Sequence, residues 1–249
     1  MIILKSPSEL ARMRQAGRIV AEVLAALQQR IRPGVNTAEL DELVYQIITK
    51  CKAFPSFKGY RGFPASLCVS INEEVVHGLP NKKRYLKEGD IVSFDVGAIY
   101  QGYQGDAAVT VGVGEIAEAA KELLTVTAGT LAAGIAQSRA GNHTGDISWA
   151  IQDYAESRGY SVVREYTGHG IGLQMHEDPQ IPNYGQPERG FLLKPGMTFA
   201  LEPMVNEGDW RTRVLADNWT VVTKDGKLSA HFEHTIAVTE GEPEILTRL

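Results

Sequence analysis

Five residues with metal-binding side chains are spread along the chain, each in or beside a segment that predicts a strand or a tight turn: Asp95, Asp106, His169, Glu202 and Glu233. Side chains alternate between two faces of a strand, so an acid in an apolar strand points either to water or into an interior site. Burying several carboxylates together is prohibitive unless cations neutralise them. The alternative interpretation, unrelated surface acids, suits a single acid better than this set. The sequence therefore predicts a fold that gathers these residues around metal ions.

The donor types indicate which metals would bind. Four carboxylates with one imidazole form a hard, oxygen-rich set that suits two divalent first-row ions sharing bridging carboxylates. A structural zinc site would show Cys and His at characteristic spacings, and this sequence has only two cysteines, Cys51 and Cys68. Two cysteines are typical of a reducing compartment, and we expect no disulfide between them.

Composition narrows the class of protein. The chain has 249 residues, of which 43% are hydrophobic and 22% are charged, so it is long enough for a large core. A formal net charge of −5 gives no electrostatic case for binding nucleic acid or an anionic membrane. No apolar run approaches the roughly 20 residues of a membrane span, and the N-terminus does not resemble a secretory signal. We therefore expect a cytoplasmic protein.

Local patterns predict helices followed by strands, twice. Ser6-Pro7 with Glu9 is a helix start with a capping box, and Pro33-Gly34 should stop that helix. Thr37 should open a second helix through about Lys50. The remaining predictions are a strand at 66–72, a hairpin of 90–100 with 103–113 that carries Asp95 and Asp106, helices at 115–137 and 145–158, and a hairpin around Lys224-Asp225-Gly226-Lys227.

The two halves also share letters at one offset of 107 residues. Leu86-Lys87-x-Gly89 followed by Asp95 matches Leu193-Lys194-x-Gly196 followed by Glu202, and Arg32-x-Gly34-x-x-Thr37 matches Arg139-x-Gly141-x-x-Thr144. Two matches at one offset favour an ancestral duplication. We expect a single catalytic domain over residues 1–249, built from halves of about 1–110 and 111–249, with the site between them.

Five motifs carry a family resemblance. NEEVVHGLP, SFDVGAIYQGYQGD, GHGIGLQMHE, ALEPMV and FEHT, in this order and spacing, resemble the type I methionine aminopeptidases over essentially the whole chain. The resemblance implies the pita-bread fold of the M24 peptidases, an α+β fold with a curved antiparallel sheet flanked by helices and two pseudo-symmetric halves around a dimetal site. The chain looks like the short bacterial form, which lacks a zinc-binding N-terminal extension.

The resemblance also implies an activity and roles for the metal ligands. The expected reaction is removal of the N-terminal initiator methionine from nascent proteins when the second residue is small. Asp106 and Glu233 would bridge two ions, Asp95 would complete one, and His169 with Glu202 the other. Glu202 would also shuttle a proton to the leaving amine. The ions could be Co, Mn, Fe or Zn, and the sequence does not choose among them.

The five histidines other than His169 are assigned different roles. His176 would donate to the scissile carbonyl as charge develops on its oxygen, and His77 would contact the substrate peptide. His234, within FEHT, is expected to be structural, and we assign His143 no function. His231 stands where relatives commonly have Gln, and alternation along a strand would place it on the same face as Glu233, within reach of a hydrogen bond.

An apolar pocket should select the methionine side chain. The family's pocket positions correspond to Phe57, Tyr60, Phe63, Cys68 and Trp219, with Met175 beside His176. Aromatic walls and sulfur suit a flexible thioether, although ordinary core packing would explain any one of these aromatics equally well. We reject Cys68 as a nucleophile because no catalytic His–Asx pattern accompanies it.

Two other functions stay open on the same fold. An Xaa-Pro aminopeptidase would share the metal motifs but usually carries an additional N-terminal domain. A non-enzymatic binding protein would typically have lost metal ligands, whereas all five are present here. The expected partner is the N-terminal methionine of nascent polypeptides, with ribosome proximity and a monomeric state implied by the resemblance alone.

Overall fold

A computed structural model describes residues 2–249 of the chain. The described residues contain four α-helices, a short 3₁₀ helix at Tyr60–Gly62 and fifteen strands. The helices are Pro7–Gln28 (α1), Thr37–Lys50 (α2), Glu118–Gln137 (α3) and Thr144–Glu156 (α4). The strands are Phe54–Pro55 (β1), Cys68–Ile71 (β2), Glu74–Val76 (β3), Ile91–Tyr100 (β4), Tyr103–Gly112 (β5), Ser161–Val162 (β6), Thr167–Gly170 (β7), Glu177–Pro182 (β8), Thr198–Leu201 (β9), Met204–Asn206 (β10), Thr212–Val214 (β11), Val221–Thr223 (β12), Ser229–His231 (β13), Glu233–Ala237 (β14) and Glu244–Ile245 (β15).

The helix starts follow the capping chemistry of the sequence. The Ser6 backbone N–H donates to a Glu9 carboxylate oxygen at 2.7 Å, which closes the predicted capping box before α1. The Asn36 side chain accepts from the Ala38 N–H at 2.9 Å, and α2 spans the predicted residues. Helix α1 ends at Gln28, ahead of the predicted stop at Pro33-Gly34.

One large antiparallel sheet forms the centre of the molecule. Its nine strands include the path β1-β4-β5-β14-β9-β7-β8, with β2 paired to β4 and β15 paired to β14. Apolar side chains of α1 and α2 pack with those of β2 and β4, whereas α3 and α4 pack with β9 and β14. Each helix pair therefore covers the strands of its own half, and the α+β fold predicted from the sequence is confirmed.

The two halves make matching backbone contacts. Gly34 N–H donates to Leu86 O at 2.7 Å, and Gly141 N–H donates to Leu193 O at 3.1 Å. Isolated β-bridges join Asn36 to Tyr85 in one half and His143 to Leu192 in the other, again 107 residues apart. Gly89 and Gly196 share a left-handed φ of 87° and 88°. These pairs support the duplication, while the assignment of 1–249 to a single domain stays a prediction.

The predicted hairpin around Lys224–Lys227 is wrong. Strand β12 pairs with β11 and β3, whereas β13 pairs with β10 in another sheet. The chain does turn here, with Thr223 Oγ1 donating to Lys227 O at 2.8 Å. The segments before and after this turn do not pair with each other, because both bond to the turn between β2 and β3. Thr223 N–H donates to Glu73 O, and Ser229 N–H donates to Asn72 O.

None of the helices within residues 2–249 combines the length and the apolar character that a transmembrane span requires.

Candidate metal centre and active site

Three adjacent strands bring three of the predicted ligands to one face of the sheet. In the β4–β5 hairpin Asp95 pairs with Ala108, and on the other side of β5 the same Ala108 pairs with Glu233 of β14. Directly opposed residues share a face of a sheet, and so do residues two apart on one strand. Asp95, Glu233 and Asp106, which lies two residues before Ala108, are therefore on one face.

Glycines allow His169 to enter the site from β7. This strand lies between β8 and β9, and His169 pairs with Gln180 on one side and Ala200 on the other. A Cβ atom at Gly168 would lie 2.6 Å from Ala200 O, and one at Gly170 would lie 2.2 Å from Asp178 O. Glycine at both positions is what lets β7 pack between its neighbours with His169 buried.

Glu202 lies where two neighbouring segments both leave the strand conformation, one between β9 and β10 and the other between β13 and β14. It follows β9 directly and precedes Pro203, which has no N–H to continue a ladder. Opposite it, Phe232 separates β13 from β14 and donates its N–H to Pro203 O at 3.4 Å. Residues 231 and 233 therefore do not belong to one continuous strand, which was the basis for expecting them on one face. The His231 Nε2 atom is 3.8 Å from Glu233 Oε2, too far for a hydrogen bond.

One cavity of about 170 Å³ contains every predicted ligand, catalytic residue and pocket residue. Fourteen residues line it, and thirteen of them were predicted from the sequence. The exception is Arg61, an exposed residue whose φ of 50° lies in the left-handed region. The lining consists of Phe57, Tyr60, Arg61, Phe63, Cys68, His77, Asp95, Asp106, His169, Met175, His176, Glu202, Trp219 and Glu233.

The four carboxylates of the cavity repel one another without a cation. Burial raises the pKa of Asp95 to about 7. Burial, together with the charges of its carboxylate neighbours, raises the pKa of Asp106 and of Glu233 well above the usual range, and burial with Asp95 does the same to Glu202. Buried oxygens Asp95 Oδ1, Asp106 Oδ1 and Glu233 Oε1 have no hydrogen-bond partner within residues 2–249. Lone pairs left in this way are what a divalent cation satisfies.

The imidazole of His169 is oriented as a ligand. Its Nδ1 lies 2.8 Å from Gly170 O, and because a carbonyl only accepts, Nδ1 must carry the proton. Burial, reinforced by His176, lowers the pKa of His169 to about 4, so the ring is neutral and Nε2 offers a lone pair. Nε2 faces Glu202 Oε1 at 3.4 Å. When Glu202 is ionised, no proton lies between these atoms, and a cation would satisfy both.

The closest group of donor atoms comprises Asp106, His169 and Glu233. One atom from each lies within 4.8 Å of the others, and all three residues are buried. Asp95 and Glu202 line the same cavity beside this group. The residues present therefore fit a divalent metal ion, and the full set of five ligands stays a prediction.

Tyr60 holds the ring of His176. The Tyr60 hydroxyl lies 2.8 Å from His176 Nδ1, and the two rings stack with centroids 5.5 Å apart. Burial and the nearby Arg61 guanidinium lower the pKa of His176, which favours the neutral ring. If the hydroxyl donates to Nδ1, the single ring proton is on Nε2, where it can be given to a substrate oxygen.

His77 occupies a strained position in the cavity wall. Its φ of 59° is rare for a residue with a side chain and occurs mostly where tertiary contacts enforce it. The ring lies edge-on to Tyr166, with centroids 5.8 Å apart. Burial and the neighbouring His176 lower the pKa of His77 to about 4, so this ring is neutral as well.

Aromatic rings form the apolar end of the cavity. Phe63 is buried between Phe57 and Trp219, in edge-to-face contacts with centroids 6.4 Å and 5.1 Å apart. Cys68 lies beside them, and its burial, together with the Asp95 charge, raises the pKa of the thiol well above its usual range. A thiol held protonated is a poor nucleophile, in line with the rejection of that role.

Three histidines, His143, His231 and His234, lie outside the cavity lining. His234 contacts Thr247 Oγ1 through Nδ1 at 2.9 Å, away from Glu233, which fits the structural role expected of it. His143 precedes α4 as its N-cap residue.

Several supporting contacts were not predicted. The Thr235 hydroxyl accepts from the Asp106 N–H at 2.9 Å and donates to Asp106 O at 2.8 Å, which ties β14 to β5 at the site. Asn183 Nδ2 donates to Glu202 O at 3.2 Å. Thr235 lies within FEHT, two residues after Glu233 and on its face, so alternation could have identified it. Nothing local in the sequence points to Asn183.

Comparison with known proteins agrees with this site. The family model of metallopeptidase family M24 matches residues 11–240. A methionine aminopeptidase of Clostridium acetobutylicum is 55% identical over 247 residues, 99% of each chain. The crystal structure of methionine aminopeptidase from Thermotoga maritima superposes with a TM-score of 0.99 at 53% identity and covers 100% of both chains. The Xaa-Pro dipeptidase from Bacillus anthracis superposes less closely, with a TM-score of 0.79 at 25% identity, and only 62% of that chain is covered.

These likenesses confirm the resemblance and the pita-bread fold inferred from the five motifs. The family model covers residues 11–240, and a relative is 55% identical over 99% of each chain. Both findings show the family of this chain. The chain belongs to metallopeptidase family M24.

Proposed function

We propose that this protein is a methionine aminopeptidase, a metal-dependent hydrolase that removes an N-terminal methionine when the second residue is small. The observation that carries the proposal is the continuity of one cavity, in which an apolar aromatic end opens directly onto the buried donor set. A cavity of about 170 Å³ is of the size that holds a small apolar group such as benzene. A methionine side chain bound there would leave its peptide bond beside the carboxylates.

Asp106 and Glu233 would be shared between two divalent ions, Asp95 would complete one, and His169 with Glu202 the other. The partnerless carboxylate oxygens support this assignment, as does the His169 lone pair that faces Glu202. Bound ions supply Lewis acidity and lower the pKa of coordinated water toward neutrality. Co, Mn, Fe and Zn all accept such ligands.

Glu202 would move the proton that hydrolysis requires. A carboxylate beside the attacking water can take its proton and return it to the departing amine, and Glu202 lines the cavity where that water would lie. His169 Nε2, 3.4 Å from Glu202 Oε1, limits the orientations open to that carboxylate. Glu202 follows the end of β9, and its side chain faces the cavity.

His176 would stabilise the scissile carbonyl oxygen as negative charge develops on it. Its Nε2–H is available when the Tyr60 hydroxyl donates to Nδ1. His77, neutral and held by its backbone and by Tyr166, would contact the peptide on the far side of the scissile bond. Phe57, Phe63, Cys68, Met175 and Trp219 would surround the methionine side chain.

A comparison of two peptides tests the proposed function against the Xaa-Pro and binding-protein alternatives. The metal-loaded protein should cleave Met-Gly peptides about a hundredfold better than Ala-Pro peptides, because Ala forgoes the few kcal/mol gained by burying a methionine side chain. Chromatography of the released amino acid gives the rates. Preference for Ala-Pro would move the protein to the Xaa-Pro class, and no hydrolysis with any divalent ion would favour a binding protein.

The second residue should also limit turnover. Because its side chain must enter a crowded cavity beside His77 and His176, peptides with Gly, Ala, Ser, Thr, Cys, Pro or Val after methionine should be cut, and those with Lys, Glu, Leu or Phe poorly. Rates for Met-Ala-Ser and Met-Lys-Ser, measured under the same conditions, provide the test. Equal rates would contradict the proposed geometry.

The setting in the cell follows from the same proposal. A hydrolase of initiator methionine meets nascent polypeptides in the cytoplasm and near the ribosome. A monomeric state is what the resemblance implies.

A further inference from the structure

Lys5, in the segment before α1, is buried although it carries a charge. Its side chain is 3% exposed, and no other Lys or Arg between residues 2 and 249 is buried as a whole residue. Its ammonium lies 2.5 Å from Glu177 Oε2, and it also donates to Ile3 O at 3.1 Å. The Glu177 side chain is only 8% exposed. Burying a lysine is costly unless its charge is paired in this way.

The Glu177 carboxylate closes the turn that carries His176. Its second oxygen, Oε1, accepts from the Gln174 N–H at 3.1 Å, so the same side chain spans the turn from residue 174 to residue 177. Met175 and His176, both in the cavity lining, are the two residues within that span. The orientation of Glu177 therefore fixes the base of the segment that presents them.

The backbone around Lys5 is held independently of its ammonium. The Lys5 N–H donates to Gly196 O at 2.7 Å. A Cβ atom at Gly172 would lie 2.4 Å from Lys5 Cε and 2.6 Å from Glu177 Oε1, so glycine is what lets the chain pass so close to the ion pair. The Lys5 side chain thus packs against the backbone of Gly172, where a residue with a Cβ atom would clash with it.

We propose that Lys5 is a positioning residue for the reaction, because its ammonium locks Glu177 and thereby holds His176 and Met175 toward the cavity. The inference rests on the proposed function, since it assigns Lys5 an effect on the same site. Without the ammonium, the Glu177 carboxylate is left buried with the Gln174 N–H as its neighbour and turns toward water, which loosens the turn between them. Loss of alignment of about 1 Å at a reacting group can cost up to roughly a hundredfold in rate.

Four variants of the metal-loaded, full-length protein test the proposal. Lys5→Met removes the ammonium and keeps an unbranched side chain, Glu177→Gln removes the opposite charge and keeps an oxygen for the Gln174 N–H, and the double variant removes both. Arg14→Met is the matched control. It breaks another ion pair of the N-terminal region, Arg14 Nε with Glu244 Oε1 at 2.6 Å, which is partly exposed and outside the cavity lining. For each protein, kcat and KM are measured on Met-Ala-Ser, Mn²⁺ binding by calorimetry, and Tm by scanning.

Lys5→Met and Glu177→Gln should each lower kcat by roughly ten- to a hundredfold, with a smaller change in KM and with Mn²⁺ affinity within about threefold of the wild type. The kcat of the double variant should be no lower than that of the less active single variant, because both single substitutions break the same contact. The Tm of Lys5→Met should fall by roughly 5–15 °C, while Arg14→Met should keep kcat within about twofold.

The outcomes separate positioning from mere stability. If both single variants lose Tm but keep kcat within twofold of the wild type at a temperature where they are folded, the proposal is overturned. Should Lys5→Met fail to fold, Glu177→Gln decides by the same criterion. Multiplicative losses in the double variant would also overturn it, because the two residues would then act independently. A wild-type protein that cleaves no Met peptide would refute the proposed function instead, before any variant is compared.

Discussion

Replacing Glu202 by alanine should lower kcat on a Met-Ala-Ser peptide by about a thousandfold or more. The substitution removes a proton carrier, worth roughly 10²–10⁴ in rate, together with a metal ligand. The position of Glu202 in the cavity lining and its 3.4 Å approach to His169 Nε2 are the observations behind the expectation. Steady-state kinetics at saturating Mn²⁺ measure the effect. Retention of more than about a tenth of wild-type turnover with metal still bound would contradict the assigned role.

A second substitution distinguishes the two roles of Glu202. Glu202→Gln keeps an oxygen that can face a cation but cannot take up a proton at neutral pH, so turnover should still fall at least a hundredfold while calorimetry still detects Mn²⁺ binding. Glu207→Ala is the matched control, since Glu207 is an exposed acid just after β10. Its kcat should remain within about twofold of the wild type.

The sequence was most informative where chemistry and strand pattern coincide. Asp95 and Asp106 lie on long arms of alternating and apolar character, and β4 and β5 form as predicted because residues near in sequence pair directly. The glycines around His169 are demanded by packing against Ala200 and Asp178, which explains why so short a motif is specific. Local patterns therefore predicted the β4–β5 hairpin correctly, while the roles assigned to its two acids stay predictions.

Pairings that depend on distant residues could not be predicted. The segment around Asp225 has the composition of a hairpin turn, but Glu73 and Asn72 take the hydrogen bonds that would have joined its arms. His231 and Glu233 have the spacing of one strand, but Pro203 on the neighbouring segment interrupts the ladder between them. In both cases a contact from elsewhere in the chain overrides the local preference.

The burial of Lys5 also depends on distant residues and could not be predicted from the local sequence. A lysine near an N-terminus normally predicts a solvated surface residue. Its burial follows from Glu177, which is 172 residues away, and from a glycine that leaves space for it. Arg61 was missed for a different reason, because an arginine between Tyr60 and Gly62 suggests an exposed turn, and it does lie in one, at the wall of the cavity.

Removing the metal should abolish peptide cleavage and should also make the stability of the protein fall as pH rises above 7. In the metal-free protein, Asp106, Glu202 and Glu233 have pKa values well above their usual range, mainly because they are buried. A carboxyl whose pKa is raised on folding stabilises the fold at low pH, and that stability is lost as pH rises toward the folded-state pKa. Above pH 7 the unfolded chain has already released these protons.

The window from pH 7 to about 8.5 isolates this effect. The buried His169 and His231 and the half-buried His77 and His234 have lowered pKa values. Their contribution therefore changes only below about pH 6.5, where it opposes the carboxyl effect. Within the window, each carboxyl that keeps its proton in the folded state should cost about 1.4 kcal/mol of unfolding free energy per pH unit. With metal bound the carboxylates are ionised in the folded state too, and the slope should vanish or reverse.

Urea unfolding at pH 7.0 and 8.5, with a strong chelator or with excess Mn²⁺, measures both slopes, and Met-Ala-Ser cleavage in the same samples reports activity. Asp106→Asn supplies the internal control: it removes one buried carboxyl, so its chelated form should be more stable at pH 8.5 and show a shallower slope than the chelated wild type. A chelated wild type equally stable at both pH values would mean that the carboxylates are not held together as the cavity shows. Activity that survives the chelator would mean that hydrolysis does not need the ions these carboxylates would hold.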